Sequence, residues 1–401
     1  MADRAVDVLL VGGGVASAEC ARELRARGFE GSVLLAGREL DAPYERPPCS
    51  KAYLRGAVER EAIALDVPGD VEVRTRTSVL KLDAGARTAR LSDKSEVAYG
   101  QALVATGANV RRLPVDGAQL EGIHYLRTLG NADAIRSDAE GARSAVVVGG
   151  SYLGTELAAS FVELGLEVTI VCLEALPLER HYGATAGGWF AGLLSERGVR
   201  IAGGRSLAAF TGEGERVTGV RTEDGETFAG DLVVVAAGAV PDAMLARQSG
   251  LELGELGGVR CDAGLRVRGA AGLYAAGDVC EWDSALHGGP ARIEHWEVAA
   301  AQGRTAALNM LGEGVAHEEV PYFWSDLSDW VTSEYVGAAG VGGWDDEVLR
   351  GSLDEGAFTI WQLRDGRLVG ALAVRRGGDL DEARRLIASG ERVSAAELAG
   401  A

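Results

Sequence analysis

The chain has 401 residues, 47% of them apolar and 25% charged. That is the make-up of an ordinary soluble globular protein too long for one core, so two or three domains are expected. A formal net charge of -19 argues against nucleic acid as a main partner. Five cysteines with no C-x-x-C spacing exclude a disulfide framework and a zinc site and fit a reducing, cytoplasmic setting. No stretch approaches the ~20 apolar residues of a membrane span.

The first apolar run, Val6 to Val11, follows Asp3 and Arg4 and breaks at Gly12-Gly13-Gly14, which reads as a buried strand and not a signal peptide. A helical pattern to about Arg27 and a second apolar run, Val33 to Ala36, complete a βαβ unit. Leu103-Val104-Ala105-Thr106-Gly107 is an apolar strand ending in small residues. The same order then recurs: a strand at Ala145 to Val148, a turn at Gly149-Gly150-Ser151, a helix at Tyr152 to Leu164 and a strand at Val168 to Cys172. Leu232 to Gly238 nearly copies the earlier strand, and Leu273 to Ala276 runs into Gly277-Asp278. A helix is expected over Arg292 to Leu311. From about Pro321 aromatic residues crowd the chain, a separate α+β piece, and the stretch from 377 to the end reads as a helix with a frayed tail. The expected fold is α/β: two dinucleotide-binding, Rossmann-like domains with a small α+β C-terminal domain.

In Gly12-x-Gly14-x-x-Ser17 the first glycine permits the tight turn, and the second lets a pyrophosphate approach the helix N-terminus, where free N–H groups and the dipole favour anions. Ser17 stands for the third glycine and is small enough to be tolerated. Gly149-x-Ser151-x-x-Gly154 is a second copy, with Ser151 in the middle place, where it either displaces the pyrophosphate slightly or donates a hydrogen bond to it. Each alone is compatible with a merely structural turn; two copies in the same strand–turn–helix context argue against coincidence. Asp278 ends a buried strand, and a carboxylate there needs a partner. The ribityl hydroxyls of a flavin would supply one; the bland alternative is a solvated loop aspartate.

The segment Pro43-Tyr44-Glu45-Arg46-Pro47-Pro48-Cys49-Ser50-Lys51 resembles the Tyr-[Asp/Glu]-Arg-Pro-Pro-Leu-Ser-Lys signature of ferredoxin and rubredoxin reductases, relatives of apoptosis-inducing factor. Further matches, in family order, are Ala105-Thr106-Gly107-Ala108, Leu126-Arg127-Thr128, Ala237-Gly238 with Pro241-Asp242, Ala276-Gly277-Asp278, Glu294-His295-Trp296 with Gln302-Gly303, and Tyr322-Phe323-Trp324-Ser325-Asp326. The resemblance implies the glutathione-reductase fold. A discontinuous FAD domain would span 1–112 and 240–316, an NAD(P) domain 113–239, and a C-terminal domain 317–401. It implies FAD contacts from Gly12, Gly14, Ala16, Ser17, Arg38 or Glu39, Arg46, Lys51, the backbone near Thr77, Arg127, Asp278 and Trp296. Ala105, Gly107, Gly238, Glu294, His295 and Trp324 join the cofactor-binding set through the matching segments; Gly149, Ser151, Gly154 and Glu174 serve the coenzyme. Lys51 and Glu156 are implied as the catalytic ion pair beside flavin N5. His295 has two readings, a catalytic group or a packing residue at a helix N-terminus. The sequence departs from the pattern at Arg38, where an acid is usual, at Cys49 for leucine, and at Cys172, where many relatives have the NAD-ribose acid.

The function so implied passes hydride from NADH to FAD and single electrons to a small [2Fe-2S] ferredoxin or a rubredoxin that feeds a cytochrome P450 or ring-hydroxylating oxygenase. No redox dithiol is expected. The alternatives are a stand-alone NAD(P)H oxidase or quinone reductase, and an apoptosis-inducing-factor-like redox sensor. NADH is expected over NADPH because Glu174 follows the second strand of the coenzyme domain, although Arg180 lies downstream. Since an acidic partner would be repelled by the whole-chain charge, Arg74, Arg76, Arg111, Arg112, Arg375 and Arg376 are candidates for a local basic docking patch. Purified protein should be yellow and release FAD on denaturation, and Asp278→Ala should weaken FAD retention, measured as flavin fluorescence released on dilution, because an acceptor for buried hydroxyls is lost.

Overall fold

The computed structural model describes residues 2–338, 340 and 342–400. In chain order, the elements that matter for the site are β1 (Arg4–Val11), α1 (Val15–Ala26), β2 (Val33–Ala36), β3 (Glu96–Val104), α2 (Leu129–Ala139), β4 (Ser144–Val148), α3 (Tyr152–Glu163), β5 (Glu167–Val171) and α4 (Glu179–Glu196). They continue with β6 (Leu232–Val235), β7 (Leu273–Ala275), α5 (Trp296–Met310), β8 (Tyr322–Leu327), β9 (Val331–Gly337) and α6 (Asp379–Ser389).

The chain forms two compact units. One is built from the chain up to Glu45, Glu61–Asn109 and Val240–Phe323; the other from Arg46–Arg60, Val110–Ala239 and the residues from Trp324 onward. In the first unit, β1 is flanked in parallel by β2 and β3, with Leu10 opposite Leu35 on one side and Leu103 on the other. The strand β7 pairs parallel to β3, and the antiparallel strands Thr88–Leu91 and Val79–Asp83 extend that edge. Leu9 and Leu10 point to opposite faces, yet both are fully buried. A strand apolar on both faces requires a covered parallel sheet, which is why this run carries no alternation. One face is covered by α1 and α5. These helices approach closely because α1 offers Ala16, Ala18 and Ala21, and a Cβ on Gly303 of α5 would lie 2.2 Å from the Ala16 carbonyl oxygen.

The second unit contains a five-stranded parallel sheet in the order Arg200–Ala202, β5, β4, β6, Ile123–Tyr125. Its core joins Val146, Val148, Val171, Val233 and Val235 to Phe210 and Phe228 of a small antiparallel sheet. The same unit holds a five-stranded antiparallel sheet in the order β8, β9, Arg367–Val374, Ala357–Arg364, Asp346–Ser352, on which α6 packs.

Two expectations change. The helix foreseen from Arg292 begins at Trp296, because Gly289–Ala291 is drawn into a strand against Cys280–Ser284 and His295 supplies the N-cap. The C-terminal stretch is two helices, α6 and Ala395–Ala399; the chain leaves the first at Gly390, and Arg392 bridges to Arg367. All five cysteines are buried free thiols. Cys280 is pushed well above the ordinary thiol range by burial and by the adjoining Cys261 thiol, which disfavours thiolate chemistry. Among the described residues no helix is long and apolar enough to cross a membrane.

His317 is buried in the first unit, with Nδ1 3.1 Å from the Thr305 hydroxyl and its ring edge-on to Trp282 at 5.5 Å. Burial, and then the Arg304 charge, lower its pKa from 6.5 to about 4. A depressed histidine pKa stabilises the fold above pH 6.5 and is lost as pH falls through about 4. Urea denaturation between pH 7 and 4 should therefore show a stability loss on the order of 3 kcal/mol. His317→Gln should lack this component.

Candidate functional site

In the first unit the chain leaves β1 at Gly12, whose φ is +122°, and a Cβ there would lie 2.1 Å from the Ala105 carbonyl oxygen at the end of β3. Only glycine can turn this tightly against the neighbouring strand. The turn delivers Gly14 as the N-cap of α1, with no capping side chain and no acidic residue in the first turn. A Cβ at Gly14 would meet nothing within 4 Å, so the helix end opens onto free space. Ala16 and Ser17 are buried in that turn, and the Ser17 hydroxyl has no hydrogen-bond partner among the described residues. Uncapped N–H groups, open space and an unsatisfied buried hydroxyl together suit an anionic group such as the pyrophosphate of FAD.

The other predicted residues of this unit fall at the same strand ends or nearby. The Arg38 guanidinium bonds the Asp242 carboxylate at 2.5 Å and Asn109 Oδ1 at 2.8 Å, and is thereby occupied. The neighbouring Glu39 accepts a bond from the Tyr44 hydroxyl at 2.6 Å. Asp242 is held in turn: its N–H donates to the Gly107 carbonyl, and its carbonyl accepts from the Thr106 hydroxyl. The Thr77 N–H is taken by the Gly37 carbonyl at 2.8 Å. Ala105 donates its N–H to Val11. Asp278 follows β7, its carbonyl accepting from Arg292, which also pairs with Glu294. The Gly277 N–H donates to Gln302 Oε1 at 2.8 Å, while Gln302 Nε2 is buried with no partner. His295 Nδ1 accepts the Glu297 N–H at the head of α5, and its ring lies 4.8 Å from Phe323. That geometry gives His295 a capping role. Trp296 opens α5.

The second unit repeats the turn. Gly149 has φ +118°, and a Cβ there would lie 2.3 Å from the Ala236 carbonyl oxygen at the end of β6. A Cβ on Gly154 would lie 2.0 Å from the Gly149 carbonyl oxygen, so the helix is seated directly on its turn. Ser151 is the N-cap of α3, its side chain making no capping bond, and no acidic residue stands in the first turn. Beyond β5, Cys172 is buried and its thiol donates to the Glu174 carbonyl at 3.4 Å. Burial, and then the charges of Glu174 and Glu179, push that thiol up to about 11. Glu174 itself is half-buried, and its charge also reaches the His181 imidazole, which burial and Arg180 hold below the ordinary value. Gly238 accepts the Arg111 N–H at 3.0 Å after β6.

Arg46 and Arg127 also meet in this unit: the Arg46 guanidinium donates to the Arg127 carbonyl at 2.7 Å. Lys51 and Glu156 are brought together, Nζ to Oε2 at 2.7 Å, with side chains only 13% and 9% exposed. Two hydroxyls join them. Ser50 donates to Glu156 Oε2 at 2.5 Å and Ser325 to Oε1 at 2.7 Å. Trp324 precedes Ser325 in β8. Ser50, Ser325 and Asp242 all stand inside the quoted motifs, so their presence was visible, but their partners were not. Of the six arginines considered for docking, Arg74 is paired with Glu72, Arg376 with Asp379, and Arg112 lies over the Tyr125 ring. No cluster of three or more metal-ligating side chains occurs among the described residues.

These two turns belong to a known pattern. A model of the pyridine nucleotide-disulphide oxidoreductases matches residues 6–303, and a reductase C-terminal model matches residues 322–401. The ferredoxin–NAD(+) reductase component of the anthranilate 1,2-dioxygenase system of Burkholderia cepacia is 36% identical over 402 residues, 98% of this chain and 96% of that protein. Rhodocoxin reductase of Rhodococcus erythropolis is 33% identical over 390 residues, 96% of this chain and 90% of that one. The crystal structure of a covalent putidaredoxin reductase–putidaredoxin complex superposes with a TM-score of 0.91 at 30% identity, covering 100% of this chain and 96% of the other. With two glycine turns on parallel sheets and an antiparallel C-terminal sheet, matched from end to end, the chain belongs to the pyridine nucleotide-disulphide oxidoreductase family, in its ferredoxin reductase branch.

Proposed function

We infer that this chain is an FAD-dependent NADH:ferredoxin reductase that supplies a small iron–sulfur protein serving a cytochrome P450 or ring-hydroxylating oxygenase. The observation that carries this reading is that relatives named as such reductases align through the C-terminal sheet as well as both glycine turns. Bound FAD would supply the step from a two-electron hydride donor to a one-electron acceptor. The protein needs no general acid or nucleophile for it.

Residue roles follow from the chemistry of each place. The α1 N-terminus, with Gly12 and Gly14, binds the FAD pyrophosphate through backbone N–H groups, and Ser17 offers a further donor. Asp278 takes the ribityl hydroxyls. Glu39 takes the adenosine ribose in place of Arg38, whose guanidinium is committed to Asp242 and Asn109. Lys51 directs positive charge at flavin N5, and Glu156 keeps the ammonium in place. The α3 N-terminus, with Gly149 and Ser151, receives the NADH pyrophosphate, and Glu174 its adenosine ribose. In this reading 1–112 and 240–316 bind FAD, 113–239 bind NADH, and 317–401 form the C-terminal domain; the breaks of the compact units at Asn109 and Ala239 support two of these boundaries. The cytoplasm is the compartment that five free thiols and a ferredoxin partner favour.

Steady-state NADH oxidation coupled to cytochrome c through a panel of ferredoxins and rubredoxins tests the activity. Turnover should require the iron–sulfur protein and should fall as salt rises, since a basic patch acts within a Debye length of ~10 Å at 0.1 M salt. Equal rates with and without every such protein would reject the reductase reading, and salt-independent turnover would reject electrostatic docking. For the coenzyme, kcat/KM should favour NADH over NADPH. Glu174→Ala should narrow that gap about tenfold or more, the worth of a hydrogen bond to a charged acceptor. A wild-type preference for NADPH refutes the assignment.

A further inference from the structure

Glu156 is nearly out of solvent, and both of its carboxylate oxygens are engaged. Oε2 receives the Lys51 ammonium at 2.7 Å and the Ser50 hydroxyl at 2.5 Å. Oε1 receives the Ser325 hydroxyl at 2.7 Å. Ser50 is the immediate neighbour of Lys51, so its contact follows from the local turn. Ser325 reaches the carboxylate from β8, 169 residues further on, and is only 2% exposed. Its own backbone is fixed as well: the Ser325 carbonyl accepts from the Ser333 hydroxyl at 3.2 Å, and Ser333 lies 3.3 Å from the Tyr182 hydroxyl. The donor aimed at Oε1 is thus held from behind by β9 and α4.

We propose that Ser325 is a positioning residue: by bonding Glu156 Oε1 it holds that carboxylate turned to Lys51, and so sets where Lys51 places its charge beside the flavin. The inference rests on the proposed function, which puts Lys51 at flavin N5. A buried carboxylate oxygen needs a donor, and the donor it finds fixes the direction of the group. Lys51 and Ser50 act on Oε2 alone. Without Ser325, Oε1 loses that donor, and the carboxylate is free to turn away from Lys51. An ammonium less closely compensated favours the reduced, more negative flavin.

The test is an anaerobic spectroscopic titration of the flavin midpoint potential in the FAD-loaded full chain, at one fixed pH, for wild type, Ser325→Ala, Ser325→Thr and Lys51→Met. A hydroxyl bond to a charged acceptor corresponds to about tenfold or more in an equilibrium constant. Ser325→Ala should raise the midpoint potential, shifting the reduction equilibrium by about that factor, and Ser325→Thr, which keeps the hydroxyl, should restore it. Should the alanine variant fail to fold, Ser325→Cys, a near isostere with a weaker donor, carries the same expectation. Superimposable curves for wild type and Ser325→Ala, with Lys51→Met shifted, would overturn the proposal and leave the place of Lys51 intact. A Lys51→Met curve identical to wild type would instead remove the reading on which the proposal stands.

Discussion

A carboxylate taken out of water has to be surrounded, and around Glu156 that demand organises much of the second unit. Lys51, Ser50 and Ser325 reach it from three directions, and each belongs to a segment that would otherwise have little reason to stop where it does. The turn over Pro47–Ser50 ends with Ser50 and Lys51 aimed inward, α3 places Glu156 one turn beyond its glycine start, and β8 offers Ser325 from its buried side. Leaving out Ser325 would strand Oε1, and leaving out Lys51 would take the cation from the pair; either costs more than an ordinary missing hydrogen bond. The pair is therefore an ordering device for the chain as well as a source of charge.

The two glycine turns solve one geometric problem twice. In each, a strand must hand over to a helix while the neighbouring strand crowds the corner, and a glycine with positive φ presses against that neighbour's carbonyl: Gly12 on Ala105, Gly149 on Ala236. The copies differ where binding requirements differ. Gly14 leaves open space at the first helix, whereas Ser151 stands at the start of the second, and a Cβ on Gly150 would lie 3.0 Å from the Cys172 side chain. The two turns share what the backbone needs and differ where a ligand would touch.

Local pattern made much of this legible. The βαβ units, the second strand at Val33–Ala36 and the helix beginning at Tyr152 follow from apolar runs broken by glycine, because parallel strands buried on both faces carry no competing signal. What escaped depended on distant partners. The start of α5 slipped from Arg292 to Trp296 because a strand pairing, invisible locally, claims Gly289–Ala291. Arg38 looked like a ribose contact in the wrong charge state. Its role as a clasp appears only when Asp242, 204 residues away, is folded beside it. Ser325 lay in a motif matched by its aromatic neighbours, and nothing in spacing could reveal that its hydroxyl points at Glu156.

Tyr182 stacks on Tyr335 of β9 at 5.7 Å and meets Tyr152 at the head of α3 edge-on at 5.4 Å, while Trp189 meets Phe358 at 5.1 Å. Each such pair adds about 0.5–1.5 kcal/mol beyond its buried area. These rings weld the C-terminal sheet to the helices of the neighbouring parallel sheet, inside one compact unit. That bears on how such a protein can diversify. A C-terminal sheet secured only by a linker could be exchanged whole between relatives. This one cannot be, because a graft would have to bring matching residues at Tyr335, Ser333 and Ser325 or else leave holes beneath α4 and an unsatisfied charge on α3. Change in this sheet is thereby confined to its outer positions, one side chain at a time, while its inner face is inherited together with the helices it rests on.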